Sequence, residues 1–309
     1  MKLLLIGAGS VGAYFCGRAA GGGAEVEVFV RREADVIREK GYAVSSINGD
    51  FVFHPDRVIT CAGEVSPDID AVVLATKVLP QIDRVELLRS AASLPSHPPI
   101  VLIQNGIGIE DLIAAAYPEN EIISCVAYIG ASRKNFREIV HRGAGRLIIG
   151  RFGGGESFFC RELAECFIAG GVPCQVVPDI ALERWRKLLW NLPFNPVSVL
   201  GGGLDTRELC DRGSIENLCS KLMDEVILTA NASGVKLTRE MADEQMEYTR
   251  NFPAYKTSML QDFSAGLPLE TDAVIGNVVK IADRYSLEIP YIRCCAALLS
   301  SKDRKNRQL

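Results

Sequence analysis

Three polar side chains recur at helical spacing in the segment ERWRKLLWNLPFNPVSVL, which spans residues 183–200. Lys187, Asn191 and Asn195 are four residues apart, so a helix would carry them along one face. A lysine ammonium can stabilise negative charge that develops on an oxygen and can then protonate it. Asparagine amides can hold carboxylate and hydroxyl groups without adding a competing charge. We therefore ask whether this strip is buried, because a buried strip would need partners.

On a helical wheel one apolar face is formed by Trp185, Leu188, Leu189 and Leu192. This face puts Lys187 on the opposite side, where a solvated position is the simplest interpretation. Further along, that opposite side is also covered, by Trp190, Phe194 and Val197. The two asparagines and Ser198 then form a narrow polar strip on a helix that should be buried. Either a polar ligand or an internal polar network would satisfy them, and Pro193 and Pro196 predict a bend or an end of the helix after Leu192.

A glycine-rich loop, GAGSVG at residues 7–12, directly follows the strand-like run KLLLI and opens a helical pattern. Its GxGxxG spacing is that of dinucleotide-binding loops, although a tight turn alone could also explain it. Gly7 permits the turn, Gly9 lets the backbone approach a pyrophosphate, and Gly12 allows close helix packing. We predict that the whole loop binds the cofactor phosphates, through Gly7, Ala8, Gly9, Ser10, Val11 and Gly12.

The end of the second strand commonly distinguishes NAD from NADP. An acidic residue there bonds the ribose 2′-hydroxyl of NAD, whereas an arginine can accept the 2′-phosphate of NADP. Here the run EVEVFV is followed by Arg31 and Arg32, with no carboxylate at its tip. We therefore predict NADP(H) as the cofactor, with Arg31 as a contact. In the alternative, both arginines are solvated and Glu33 reaches back to the ribose.

Two further strand-like runs end in polar residues. AVVLAT is followed by Lys77, and IVLIQ by Asn105 and Gly106. Parallel sheets bind ligands outside the carboxyl ends of their strands. We therefore expect Lys77 and Asn105 to contact the cofactor, while a solvated lysine remains the simpler alternative for Lys77.

The order of elements predicts an α/β protein with a Rossmann-type, doubly wound sheet. Strand-like and helical patterns alternate in the first half, which is typical of parallel βαβ units. The pair Asn48-Gly49 predicts a small inserted hairpin, and residues 121–177 should extend the sheet at one edge. Only helical patterns follow residue 178, at 180–192, 214–232, 238–249, 270–285 and 290–301. We predict a dinucleotide-binding domain at 1–178 and an all-helical substrate domain at 179–309, with an active-site cleft between them.

Composition narrows the functional classes. The 309 residues carry a net charge of -4, which argues against a protein that binds nucleic acid or an anionic membrane by bulk charge. The apolar start breaks at Gly7, so we expect neither a leader nor a membrane segment. Ten cysteines without a CxxC pair suggest reduced core thiols in a cytoplasmic protein. The three histidines are far apart, and we expect no metal site.

Taken in chain order, several motifs resemble the ketopantoate reductase (2-dehydropantoate 2-reductase) family. They are GAGSVG, the arginine after the second strand, LATK, QNG, the polar strip followed by proline, TSMLQD and LETDAVIG. The resemblance spans nearly the whole chain. It implies NADPH-dependent reduction of 2-dehydropantoate to (R)-pantoate in the route to pantothenate and coenzyme A. It also implies that Lys187 is the general acid and that Asn191 and Asn195 bind the substrate.

The same resemblance assigns further residues. Ser258 would contact the substrate, Asn105 both substrate and cofactor, and Glu270 would lie near the cofactor and serve catalysis. No metal is implied. Two positions depart from the family pattern, because Asp205 and Tyr255 stand where the family often has asparagine. We keep Asp205 as a substrate-binding candidate, although a carboxylate near an anionic keto acid is repulsive unless it is paired.

Three functional hypotheses follow. The first is a reductase of 2-dehydropantoate, and the second is the same chemistry on another branched or bulky 2-keto acid, which the two departures motivate. The third is a non-catalytic NADP(H)-binding or sensing protein, because cofactor loops can outlive catalysis. The partner in the first two cases is a small-molecule 2-keto acid. The helical domain could also supply the surface of a homodimer.

Overall fold

The computed structural model describes residues 1–211 and 213–306. They fall into two compact units. The first consists of Met1–Lys77, Ile82–Asn105 and Ile109–Ile180, and the second of Val78–Gln81, Gly106–Gly108 and the described residues from Ala181 onward. The second unit thus includes two short segments from the loops that follow strands of the first. The predicted boundary at residues 178 and 179 and the predicted cleft stay predictions.

The first unit contains one mixed sheet of ten strands. Its strands are β1 (Lys2–Ile6), β2 (Glu25–Phe29), β3 (Tyr42–Ser46), β4 (Phe51–Phe53), β5 (Arg57–Ile59), β6 (Ala71–Leu74), β7 (Ile100–Leu102), β8 (Ile122–Arg133), β9 (Glu138–Arg151) and β10 (Cys174–Val176). The sheet order is β4-β3-β9-β8-β7-β6-β1-β2-β5, and β10 pairs with β9. The strands β5, β2, β1, β6, β7 and β8 are parallel neighbours, so the order reverses at β1 and β6.

The helices of the first unit follow its strands. They are α1 (Ser10–Gly21), α2 (Ala34–Lys40), α3 (Arg84–Ala92), α4 (Asp111–Ala116) and α5 (Phe158–Ala169). Separate apolar clusters lie on the sheet, one including Phe15 and Phe167 from α1 and α5, another including Leu88 from α3. The near-continuous apolar character of β1 and β6 fits strands that are buried on both faces. This confirms the predicted Rossmann-type sheet.

Two hairpins extend the parallel core at one edge, of which the sequence predicted the one at Asn48-Gly49 and, for residues 121–177, only an extension of the sheet. β3 and β4 pair antiparallel across the Asn48-Gly49 turn, where Gly49 has a φ of 96° that favours glycine. The hairpin of β8 and β9 is formed by long strands and contains two register shifts. β5 was not predicted, because its three residues are too short to give a recognisable alternation.

The regular elements among the described residues of the second unit are all helices. Its helices are α6 (Ile180–Leu200), α7 (Thr206–Leu209), α8 (Ser214–Ala232), α9 (Arg239–Asn251), α10 (Ser258–Ser264), a π-helix (Asp272–Gly276), α11 (Asn277–Arg284) and α12 (Pro290–Asn306). An apolar core that includes Leu189, Leu222 and Met223 holds them together. None of the helices formed by the described residues has the length and apolar character that a membrane crossing requires.

The expected end of α6 after Leu192 was wrong. The helix continues through Pro193 and Pro196 to Leu200. Phe194 and Val197 are almost fully buried, so the packing of this last part of the helix offsets the two missing backbone donors. The polar strip therefore lies on one unbroken helix.

Candidate active site

The glycine loop has the geometry that each of its glycines predicts. Gly7 has a φ of 97°, and a Cβ there would lie 2.5 Å from the backbone nitrogen of Thr76. A Cβ on Gly12 would lie 2.5 Å from the carbonyl oxygen of Gly7. At Gly9 the nearest atom to such a Cβ is 4.0 Å away, so the space beside its backbone is open. Close packing thus requires two of the glycines, while the third leaves room for a ligand.

The loop leads into the N-terminus of α1, where backbone N–H groups lack helical partners. The N-cap residue is Gly9, and the first turn of α1 has no acidic residue. Ala8, Ser10 and Val11 are half-buried. β1 precedes the loop and pairs with β6 at the point where the strand order reverses, which is the usual ligand position in such sheets. This arrangement fits the pyrophosphate of a dinucleotide.

The candidate 2′-phosphate contact lies in the bend after β2. Arg31, Arg32 and Glu33 are all exposed. Glu33 has a φ of 60°, in the left-handed region, and is the N-cap of α2. Because each side chain is accessible to a ligand, these positions allow both Arg31 to contact a 2′-phosphate and Glu33 to contact the ribose.

Buried polar side chains fasten the strand ends that carry Lys77 and Asn105. Gln104 Nε2 donates to the carbonyl oxygen and the hydroxyl of Thr76, at 2.6 and 3.1 Å. Arg84 Nη1 donates to Gln104 Oε1 at 3.3 Å and to the Ile109 carbonyl at 2.8 Å. Lys77 and Asn105 themselves are half-buried. Gln104 was not among the predicted site residues, although its place at the end of the run IVLIQ is a signal for it.

The polar strip of α6 is buried, as the wrapping by apolar residues predicted. Asn191 and Asn195 are 8% and 3% exposed, and Lys187 is half-buried. Asn195 Oδ1 is buried and has no hydrogen-bond partner among the described residues. The Ser198 hydroxyl is fully buried and donates to the Asn195 carbonyl at 2.8 Å. A buried amide oxygen without a partner costs about 1–3 kcal/mol, so Asn195 Oδ1 can accept a hydrogen bond from a ligand.

Two charged residues act electrostatically on the ammonium of Lys187. The pKa of Lys187 is lowered to about 7, first because burial disfavours the charged form and second because Arg184 is positively charged. Glu270 opposes this shift with its negative charge. A lysine with a pKa near neutrality can be both protonated and a good proton donor at physiological pH. Lys187 thus has the proton affinity that a general acid needs.

Glu270 is held by a backbone group as well as by charge. The amide nitrogen of Val78, the residue directly after Lys77 in the chain, donates to Glu270 Oε1 at 2.8 Å. Arg184 also bonds a backbone group. Its Nη1 donates to the carbonyl of Gly106, the residue after Asn105, at 3.2 Å. The segments Val78–Gln81 and Gly106–Gly108 are therefore each hydrogen-bonded to a charged residue that acts on Lys187.

Ser258, another substrate candidate, is not buried. Ser258 is exposed at the start of α10, next to the fully buried Thr257. The Thr257 hydroxyl lies 2.7 Å from that of Ser198, so it links α10 to the end of the polar strip. Thr257 was not predicted as a site residue. Thr257 is the N-cap of α10, but the seven residues of this helix show too little periodicity for the sequence to indicate that role.

Asp205 has a structural partner for its carboxylate. Its Oδ1 accepts from the amide nitrogens of Arg207 and Glu208, at 2.9 and 3.0 Å, and so caps α7. Next to it, Thr206 and Tyr255 exchange two bonds, since the Thr206 amide donates to the Tyr255 carbonyl and the Tyr255 amide to the Thr206 hydroxyl. The two departures from the family pattern therefore lie side by side.

Comparison with known proteins places these features in a family. Residues 3–154 match the family model described as "Ketopantoate reductase PanE/ApbA", and residues 179–303 match "Ketopantoate reductase PanE/ApbA C terminal". A crystal structure of 2-dehydropantoate 2-reductase from Methylococcus capsulatus is 37% identical, with a TM-score of 0.93 over 99% of this chain and 98% of that one.

Two further known proteins are similar to this chain. A curated 2-dehydropantoate 2-reductase of Nostoc sp. is 27% identical over 99% of this chain and 96% of its own length. A ternary structure of D-mandelate dehydrogenase with NADH and anilino(oxo)acetate has a TM-score of 0.88 over 99% of both chains. At 20% identity, the second likeness concerns the fold alone.

Proposed function

Because the chain belongs to the ketopantoate reductase family, a family of oxidoreductases, we propose that it reduces 2-dehydropantoate to (R)-pantoate with NADPH. This reaction is a step in the route to pantothenate and coenzyme A. The observation that carries the proposal is the position of Lys187, with its pKa near 7, on the same helix face as two buried asparagines.

The charges of Lys187 and Glu270 determine the role that each would have in the reaction. When bound, the nicotinamide supplies a hydride to the keto carbon. Lys187 stabilises the negative charge that develops on the keto oxygen and donates its proton to it, which yields the hydroxyl group. Glu270 keeps a fraction of Lys187 protonated as the pH rises, because its carboxylate favours the ammonium.

The buried side-chain amides of Asn191 and Asn195 would bind the substrate. Asn191 and Asn195 offer hydrogen bonds to its carboxylate and hydroxyl groups without adding charge. The unpartnered Oδ1 of Asn195 supports this role, since a substrate hydroxyl could donate to it. We further propose Ser258 as a substrate contact and Asn105 as a contact of both ligands.

Several features support NADP(H) as the cofactor. The open space at Gly9 and the N-terminus of α1 suit a pyrophosphate. Arg31 is accessible to a 2′-phosphate, and Lys77 follows β6, which pairs with β1 in the sheet. We also retain the homodimer and the cytoplasmic location as predictions.

A second candidate is the same chemistry on another bulky 2-keto acid. It is favoured by the bonded pair of Thr206 and Tyr255 beside Asp205, at the positions that depart from the family pattern. The two hydrogen bonds from the α7 backbone reduce the repulsion that an isolated Asp205 carboxylate would exert on an anionic substrate. They therefore weaken the argument that this residue excludes 2-dehydropantoate.

Initial rates distinguish the candidates. NADPH oxidation would be followed with 2-dehydropantoate and with a panel of 2-keto acids of different bulk. We expect the highest kcat/KM with 2-dehydropantoate. Turnover of other 2-keto acids without 2-dehydropantoate would favour the second candidate, and NADPH binding without turnover of any acid would favour a sensor.

A further inference from the structure

The guanidinium of Arg184 is buried one helical turn before Lys187 on α6. Arg184 is 5% exposed, and the guanidinium of arginine is a cation in proteins. Burying that charge is costly unless hydrogen bonds compensate for it. One of these bonds goes from Nη1 to the Gly106 carbonyl at 3.2 Å. Because burial of the Arg184 guanidinium costs free energy, we looked for a functional role of this residue.

The segment that accepts this bond is tightly fixed. Gly106 has a φ of 100°, and a Cβ there would lie 2.4 Å from the Ala273 carbonyl oxygen. The Ile107 amide donates to the same carbonyl at 3.0 Å, and Asn277 Nδ2 donates to the Ile107 carbonyl at 2.8 Å. Ala273 lies in the π-helix. Helices of this kind often mark functional sites.

The charges that act on Lys187 come from two elements. Arg184 lies on its own helix, and Glu270 lies on the segment before the π-helix. Arg184 lowers the pKa of Lys187, and Glu270 raises it. The same arginine therefore contacts the Gly106–Gly108 segment and acts on the proton of Lys187.

We propose that Arg184 is a positioning residue that tunes Lys187 as a proton donor and fixes the Gly106–Gly108 segment, which follows Asn105 in the chain. The catalytic part of this inference rests on the proposed function, because it assumes that Lys187 protonates the keto oxygen. Loss of the positive charge makes Lys187 a weaker acid. Loss of the hydrogen bond loosens the segment.

The test measures the proton of Lys187 directly. Carbon-13 lysine-labelled protein without cofactor would be titrated by NMR, with the Lys187 signal assigned by its loss in Lys187→Arg. We expect a midpoint near 7 in the wild type, an upward shift in Arg184→Met and a midpoint near the wild type in Arg184→Lys. Arg186→Met is the matched control, since Arg186 is two residues away on the same helix and pairs with Glu244. An unshifted midpoint in Arg184→Met overturns the electrostatic role.

Hydrogen exchange tests the second role. We expect the Ile107 amide to exchange faster in Arg184→Met than in the wild type or in Arg186→Met. Equal exchange overturns the fixing of the segment. If Arg184→Met does not fold, Arg184→Gln carries the same titration, because it removes the charge and keeps a donor for Gly106.

The outcome is separable from the proposed function. If the wild type reduces no 2-keto acid while the Arg184→Met titration shifts upward, the proposed function fails and the coupling of the two residues stands. If the enzyme is active, the fall of its rate with rising pH should move to higher pH in Arg184→Met. A profile identical to that of the wild type contradicts the catalytic part of the inference.

Discussion

The amide nitrogen of Val78 donates a hydrogen bond of 2.8 Å to Glu270 Oε1, although 192 residues separate them. Val78 directly follows Lys77 in the chain. Glu270 in turn favours the charged form of Lys187. This bond fixes the carboxylate that opposes the effects of burial and of Arg184 on the proton donor. The balance of these effects leads to the first prediction.

Replacing Glu270 with glutamine should make Lys187 lose its proton at lower pH. The amide removes the negative charge that raises the pKa of Lys187, but its oxygen can still accept from Val78. The rate of reduction should therefore fall at lower pH than in the wild type, because the reaction needs the protonated lysine. A pH profile of kcat would measure this shift. Glu244→Gln is the control, and a profile of Glu270→Gln that moves to higher pH would refute the assigned sign.

Removing the ammonium should separate binding from catalysis. Lys187→Met should lower kcat by about 10²–10⁴-fold, the usual contribution of a general acid. NADPH affinity, measured by fluorescence titration, should stay close to that of the wild type. Undiminished turnover in this variant would exclude Lys187 as the proton donor.

Two neighbouring residues of the polar strip, Asn195 and Ser198, should respond differently to mutation. Asn195→Leu removes an amide whose Oδ1 has no partner, so we expect no loss in the free energy of unfolding. Its KM for the keto acid should rise about tenfold or more, because a hydrogen bond to a charged ligand contributes about 1.5–3 kcal/mol. Urea unfolding and initial rates measure the two effects. An unchanged KM would argue against substrate contact at Asn195.

Ser198→Ala is the matched variant for stability. The Ser198 hydroxyl bonds the Asn195 carbonyl and the Thr257 hydroxyl in a fully buried position. Its loss should therefore cost about 1–3 kcal/mol of unfolding free energy. We expect KM to stay near the wild-type value.

Cofactor preference should depend on Arg31. Arg31→Asp should weaken NADPH binding far more than NADH binding, because an aspartate repels the 2′-phosphate and can accept from a ribose hydroxyl. Arg32→Asp, the neighbouring exposed arginine, is the control for charge alone. Dissociation constants for both cofactors would be measured for each variant. Equal losses of NADPH and NADH affinity in Arg31→Asp would rule out the 2′-phosphate contact.

Local sequence patterns were sufficient to predict most of the fold of the first unit. Short apolar runs and the glycine loop predict β1, β2, β6 and β7, because each strand is buried on both faces. The Asn48-Gly49 turn predicts its hairpin for a local reason too, since it needs a positive φ. In contrast, α7 and α10 were missed, because four and seven residues give too little periodicity.

Long-range packing determined what the sequence could not predict. The course of α6 through Pro193 and Pro196 depends on the tertiary burial of its last turns, which outweighs local propensity. The polar strip was found from its spacing. Arg184 lies on the same face one turn earlier, but no local pattern indicates that its guanidinium is buried against Gly106.

Isotope transfer tests the central claim most directly. The wild type would be incubated with 2-dehydropantoate and NADPH deuterated at the transferable position of the nicotinamide, and the product analysed by mass spectrometry and NMR. We expect pantoate with one deuterium on the carbon that carried the keto group, and almost none from Lys187→Met in the same time. Absence of deuterium at that carbon, or no pantoate from an enzyme that binds NADPH, would contradict the proposed reduction.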